Sequence, residues 1–276
     1  MVVLEILKVI IIGIVEGITE WLPISSTGHM ILLEEFIKLD LSPEFFEMFL
    51  VVIQLGAILA VPILFWQKLN PFVKSKEEKS SRLCLWLKVL VGATPAALLG
   101  LLLDDFLDKY LYNYVVVAAT LIIYGIAFIW IEKNRADKKN IIETVEGLDF
   151  IDALKIGAFQ TLSLIPGTSR SGSTILGGML CGVSREASAE FSFFMAIPIM
   201  LGASGLKILK FLVEGFRASG EEVLLLLIGI IVSFLVSLSA IKFLMDFVKN
   251  HDFKVFGFYR IILGVIVMIY FILKRF

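Results

Sequence analysis

The sequence predicts an all-α polytopic membrane protein built as an inverted-topology repeat, each half a re-entrant helix-loop-helix hairpin followed by three transmembrane helices. Three observations lead there. Of 276 residues, 58% are hydrophobic and only 18% charged, with a mean hydropathy of +0.92, far from the make-up of a soluble domain. Six apolar runs approach the roughly 20 residues needed to cross a bilayer. Two polar segments, one in each half, interrupt that pattern at an offset of 144 residues, measured from Glu16 to Gln160.

The first polar segment, Gly13 to His29, sets two carboxylates, three hydroxyls and an imidazole in a greasy N-terminus. Ionisable groups at membrane depth cost about 2.5–3.5 kcal/mol each on insertion scales, so they persist where they line a wet cavity or a site. Glu16 and Glu20 are four apart and share one helical face. Pro23 breaks that helix. Ser25, Ser26 or Thr27 then caps a second short helix through His29 to Leu33, which aims free N–H groups back at the carboxylates and suits an anion.

Glu34 to Glu44 reads as a polar turn, and Phe45 to Trp66 as a span with Gln54 as its internal polar residue. Gln67 to Arg82, rich in lysine, reads as a loop. Leu83 to Leu103 is the next span, Asp104 to Asn113 a short acidic connection, and Tyr114 to Ile131 the third crossing. The hydrophilic stretch Glu132 to Asp149 marks the midpoint. The second half repeats the order: a polar hairpin, then spans over Ser188 to Leu206, Val223 to Ile241 and Phe256 to Leu273. Neither hairpin holds an uninterrupted apolar run of about 18 residues, so each is drawn as re-entrant. Three crossings per half is odd, so the second half inserts upside down and the two tips meet near the midplane. The division expected is a first repeat over 1–132, a connector over 133–149 and an inverted repeat over 150–276, all in one membrane domain.

The loops at 67–82, 132–155, 183–187 and 242–254 hold fourteen Lys and Arg, against eight on the other side. The positive-inside rule makes the first group cytoplasmic and puts both termini outside. A net charge of −1 without a basic stripe argues against nucleic acid. Cys84 and Cys181 fit no metal spacing and no disulfide framework. The apolar N-terminus lacks a basic n-region and a small-residue cleavage site, so no removable signal peptide is expected.

The second tip, Pro166 to Thr174, reads as a phosphate cradle. Gly167 and Gly172 let backbone approach a ligand, Thr168, Ser169, Ser171, Ser173 and Thr174 offer hydroxyls, and a helix starting near Ser171 points N–H groups at the tip. Arg170 supplies a planar fork suited to phosphate oxygens. On the first tip, Ser25 or Ser26 can attack phosphorus while His29, on the same helical face, handles the proton; an activated water is the alternative. Thr27 and Gly28 complete that tip, and Gln54 is taken as a further contact. Glu20 can orient His29 or, with Glu16, hold a divalent cation, Mg or Ca, against phosphate oxygens. The plain structural alternative pairs these carboxylates with Arg170 and Lys88.

The strings Val15 to His29 (VEGITEWLPISSTGH) and Pro166 to Thr174 (PGTSRSGST) closely resemble the two signature motifs of the bacterial undecaprenyl-diphosphate phosphatase (bacitracin resistance) family. The likeness continues through Val51 to Gly56, Gly182 to Arg185 and Glu190 to Phe193. It implies hydrolysis of the diphosphate on a C55 polyprenyl lipid, regenerating the carrier for cell-wall synthesis, with motif roles on Glu16, Glu20, Ser26, His29, Ser169, Arg170 and Thr174. It further implies a divalent cation, homodimers and, in the bacterial inner membrane, a site open to the outer face. Ser26 matches a nucleophile proposed for the family. The chief rival is a secondary transporter or flippase for a phosphorylated lipid or other anion, since facing broken helices are also transporter architecture. A two-histidine acid phosphatase is disfavoured because only His29 lies in a motif, while His251 sits in a loop.

Overall fold

In lipid every backbone polar group must be satisfied within the chain, so an apolar polypeptide of this kind folds into helices. The computed structural model describes residues 2–135 and 140–274, and the part of the predicted connector at 136–139 lies outside the described residues. Helix α1 (Val2–Thr19) leads into the turn at Glu20 to Ile24, and α2 (Ser26–Phe36) follows. Helices α3 (Pro43–Val52) and α4 (Gln54–Leu64) stack end to end as one crossing, then come the short α5 (Trp66–Leu69), α6 (Lys76–Tyr110) and α7 (Tyr114–Arg135). After a 3-10 turn at Val145–Gly147 the second half runs α8 (Phe150–Gln160), α9 (Arg170–Leu180), α10 (Arg185–Val213), α11 (Gly220–Asn250) and α12 (Lys254–Lys274). Six segments among the described residues are long and apolar enough to cross a membrane. The protein is an all-α polytopic membrane protein.

All six predicted spans are present, and their helices run past the predicted ends. The loop expected over 67–82 is already helical from Lys76, where Ser75 Oγ accepts the Glu78 N–H at 3.3 Å. The acidic connection expected from Asp104 remains helix as far as Tyr110. Hydropathy marks where lipid ends, not where a helix ends, and Lys and Glu are good helix formers in water. The first span differs internally: it breaks at Ile53, which sets Gln54 at the start of α4.

No span window is more than half buried. Large apolar residues such as Leu102, Leu209 and Ile262 point outward, as a lipid-facing mantle requires. The interior is assembled at glycines where backbones touch. Helix α8 lies on α6, and a Cβ on Gly157 would sit 2.2 Å from the Gly92 carbonyl oxygen. Helix α1 lies on α11, with a Cβ on Gly13 reaching 3.2 Å from the Gly229 oxygen. At the α7–α12 crossing, Gly125 and Gly257 each oppose the other's carbonyl at 2.7 Å by the same measure. Each half thus lays its first helix on the second long span of the other half, and the third spans cross each other, a reciprocal exchange of partners.

Because the Gly157 clash is backbone against backbone, it has no side chain to yield. Gly157→Ala is expected to destabilise the protein by about 3 kcal/mol or more. Gly202→Ala, where nothing lies within 4 Å of the added Cβ, should leave thermal unfolding in detergent nearly unchanged, and equal melting temperatures for the two variants would refute the assignment.

Candidate active site

Among the described residues, Ser25 and Ser169 are the non-glycine positions with positive φ, both at 73°. Each caps the helix that follows: Ser25 Oγ accepts the Gly28 N–H at 3.2 Å, and Ser169 Oγ accepts the Gly172 N–H at 3.1 Å. A left-handed serine costs about 1–3 kcal/mol and persists where its surroundings over-determine it. The two serines stand 144 residues apart, so the tips share one backbone device although Glu16 and Glu20 give way to Gln160 and Leu164 at that offset. The helix breaks therefore fall where Pro23 and Pro166 suggest, and of the three possible first-tip caps the structure uses Ser25.

Ser26 and Arg170 are the first residues of α2 and α9. The buried carboxylate of Glu20 joins them. Its Oε1 accepts from Arg170 Nε and Nη2, both at 3.1 Å, and its Oε2 accepts from Ser26 Oγ at 3.2 Å. Arg170 also donates through Nη1 to the Ser192 carbonyl at 2.8 Å and lies over the Trp21 ring at 5.6 Å. Two helix N-termini thus converge on one anionic group, as their dipoles favour. The structural pairing of Glu20 with Arg170 is realised, while Lys88 instead donates to the Glu146 carbonyl at 3.2 Å.

His29 is placed differently from the sequence expectation. Its Nδ1 lies 2.7 Å from the Ser25 carbonyl, which can only accept, so in the neutral imidazole Nδ1 carries the proton and Nε2 is the acceptor. Nε2 then receives Tyr259 Oη–H at 2.7 Å, with the two rings stacked at 5.6 Å. The hydrogen bond of Ser26 goes to the Glu20 carboxylate and not to His29. Tyr259 comes from α12, which carries no polar motif, and nothing in the sequence flagged it. Tyr259→Phe keeps the stacked ring and removes the donor; turnover should fall about 3- to 10-fold with unchanged melting temperature, the scale of one net hydrogen bond. Wild-type turnover would remove Tyr259 from the site.

The remaining predicted residues divide by access. Ser26, Thr27, His29, Ser169, Arg170 and Gln54 keep part of their surface, whereas Glu16, Ser25, Gly28, Gly167, Thr168, Ser171, Gly172, Ser173 and Thr174 are buried. The expected cradle of hydroxyls is largely turned inward. Ser171 Oγ ties the tips together on the Glu20 and Leu22 carbonyls at 3.0 and 3.3 Å. Ser173 Oγ bonds back to the Arg170 carbonyl at 3.0 Å. Thr174 Oγ1 meets Ser192 Oγ at 2.6 Å and its own helix at the Arg170 carbonyl, 2.9 Å. The N–H groups of Gly28 and Gly172 are taken by the capping serines. Ser26, Thr27, His29, Gln54, Ser169 and Arg170 are left with accessible surface, as is Tyr259. His251 is exposed on the surface, stacked on Phe247 at 4.6 Å.

For a cation, the informative atom is Glu16 Oε1, which is buried without a hydrogen-bond partner, on a carboxylate that Gln54 also faces. Among the described residues no three His, Cys, Asp or Glu side chains group together. With both Glu20 oxygens engaged by Ser26 and Arg170, Glu16 and Glu20 would offer a hard cation few protein ligands, and it would keep most of its coordination for water and phosphate.

The chain matches, over residues 9–266, the family described as Bacitracin resistance protein BacA. It belongs to that family. An undecaprenyl-diphosphatase from Acetivibrio thermocellus is 58% identical over 276 residues, covering 99% of this chain and 100% of the relative. One from Enterococcus faecalis is 57% identical over 265 residues, covering 95% and 96%. Undecaprenyl-diphosphatase 1 from Clostridioides difficile is 54% identical over 272 residues, covering 98% and 97%. The BacA match runs across both capped tips and through Tyr259 and Arg260 on α12, so the whole constellation lies inside the family's span.

Proposed function

We propose that this BacA-family protein is an integral-membrane phosphatase that hydrolyses undecaprenyl diphosphate to undecaprenyl phosphate and inorganic phosphate. The observation that carries the reading is the chain Ser26 to Glu20 to Arg170, which links an accessible hydroxyl, a base and a phosphate-type fork across the two tips. Family membership and relatives named undecaprenyl-diphosphatase support it. Ser26 Oγ attacks the terminal phosphorus and its proton passes to Glu20 Oε2; the bond to the bridging oxygen breaks and undecaprenyl phosphate leaves. Water then attacks the phosphoserine, the bond from phosphorus to Ser26 Oγ breaks, Glu20 returns its proton to Ser26 Oγ, and inorganic phosphate departs. Ser26 is preferred to Ser25 as nucleophile because Ser25 is fully buried and its Oγ caps α2.

Protonating Glu20 weakens its hold on Arg170, which frees the guanidinium for the transferred phosphoryl group as charge develops there. His29, fixed as a Tyr259-bonded acceptor, stands beside the cap of the nucleophile's helix and orders the mouth of the site. Glu16, and Glu20 before it takes the proton, would hold a divalent cation, which would supply neutralising charge to the phosphate oxygens. The reciprocal helix partners and the matched serine caps support an inverted repeat of 1–132 against 150–276. The rest of the reading is a homodimer in the bacterial inner membrane with the site open to the outer face, resting on the motif resemblance and the Lys/Arg bias of the loops.

The test is phosphate release by purified protein in detergent, from undecaprenyl diphosphate and from a soluble diphosphate, with and without chelator. Transport needs two compartments and hydrolysis does not, so release supports the phosphatase and its absence would favour a carrier.

A further inference from the structure

Arg260 carries a charge that no acidic side chain balances. It is fully buried on α12. Its Nη1 donates to the Pro23 carbonyl at 3.2 Å, and its Nη2 to the Gly167 and Thr168 carbonyls, both at 2.9 Å. It thus grips the backbone of both tips at once. Nε has no hydrogen-bond partner, and the guanidinium lies over the Tyr124 ring at 5.6 Å. Among the described residues no carboxylate forms an ion pair with it. A Cβ on Gly172, in the first turn of α9, would sit 3.4 Å from Nη1.

Tying loops together does not require a charge. Ser171 Oγ performs the same service between the tips as a neutral donor. A buried, unpaired cation is costly, and at membrane depth such a group marks a functional region. The other cation of the site, Arg170, is already neutralised by Glu20. Arg260, by contrast, has no ion-pair partner among the described residues, and it stands at the two loops that flank Ser26 and Arg170.

We propose that Arg260 is the resident counter-charge for the anionic diphosphate headgroup: a positioning residue that holds Pro23, Gly167 and Thr168 in place and keeps an unmatched positive charge behind them for the substrate to balance. This rests on the phosphatase reading above. The titratable groups placed to feel its charge are Tyr124 on α7 and His29 on α2, with Tyr259 its neighbour on α12.

The test compares wild type with Arg260→Met and Arg260→Lys, each checked by thermal unfolding, using methylenediphosphonate as a non-hydrolysable competitor of undecaprenyl diphosphate. Arg260→Met is expected to weaken the inhibition constant by about tenfold or more. Arg260→Lys should keep it within about threefold of wild type near pH 6 and lose it toward pH 9 if the buried lysine deprotonates there. Should Arg260→Met fail to fold, Arg260→Gln, which keeps an amide donor for the loop carbonyls, replaces it with the same expectation. Wild-type inhibition in a folded neutral variant, or equal loss in the Lys and neutral variants across that pH range, overturns the proposal and leaves Arg260 a structural clamp. If wild type releases no phosphate, the phosphatase reading itself fails, a result distinct from an active enzyme whose inhibition constants do not move.

Discussion

Glu20→Gln is expected to lower kcat by about 10²- to 10⁴-fold, the range for loss of a positioned general base. The substitution keeps the shape of the side chain. It removes the negative charge that accepts the Ser26 hydroxyl at 3.2 Å and that receives both Arg170 Nε and Nη2 at 3.1 Å. Arg170 would then lie in a largely buried position without its counter-charge, and breaking a buried pair from one side costs about 3–5 kcal/mol. Activity and melting temperature should therefore fall together. Pairing the change with Arg170→Met separates the two effects: the double variant should recover stability, because neither charge is left alone, and should remain inactive. Turnover near wild type in Glu20→Gln would place the proton acceptor elsewhere.

Ser26→Ala should abolish turnover, by about 10³-fold or more, because it removes the hydroxyl that the proposed mechanism uses as nucleophile. Acid-quenching wild type during hydrolysis of substrate labelled on its terminal phosphate should trap label on the protein, and the Ala variant should trap none. Ser25→Ala is the informative neighbour. It deletes an N-cap, worth about 1 kcal/mol of stability, and should leave the trapped intermediate intact. Full activity in Ser26→Ala would hand the attack to water.

Several parts of the protein are legible in the sequence alone. The six crossings follow from apolar runs of about 20 residues, the length a helix and not a strand needs to cross lipid. Glu16, Glu20, Ser26, His29 and Arg170 stood out because charged and hydroxylic residues in a greasy context are expensive. A repeat was suggested by the 144-residue offset from Glu16 to Gln160, and Pro23 and Pro166 announced the breaks. All of these are local signals, read within a turn or two of helix.

Other parts lay beyond that reach. The partner of Ser26 is a carboxylate six residues back across a turn, whose geometry depends on how α2 leaves α1. The inward turn of Ser171 and Thr174 depends on which carbonyls and hydroxyls α1 and α10 bring to them. Tyr259 and Arg260 sit in an apolar span with no motif, and they reach the tips only because α12 crosses α7 where Gly125 meets Gly257. Residue type and spacing report the cost of burying a group; the identity of its partner, some 230 residues away for His29 and Tyr259, is set by how the helices pack, and helical periodicity carries no record of that.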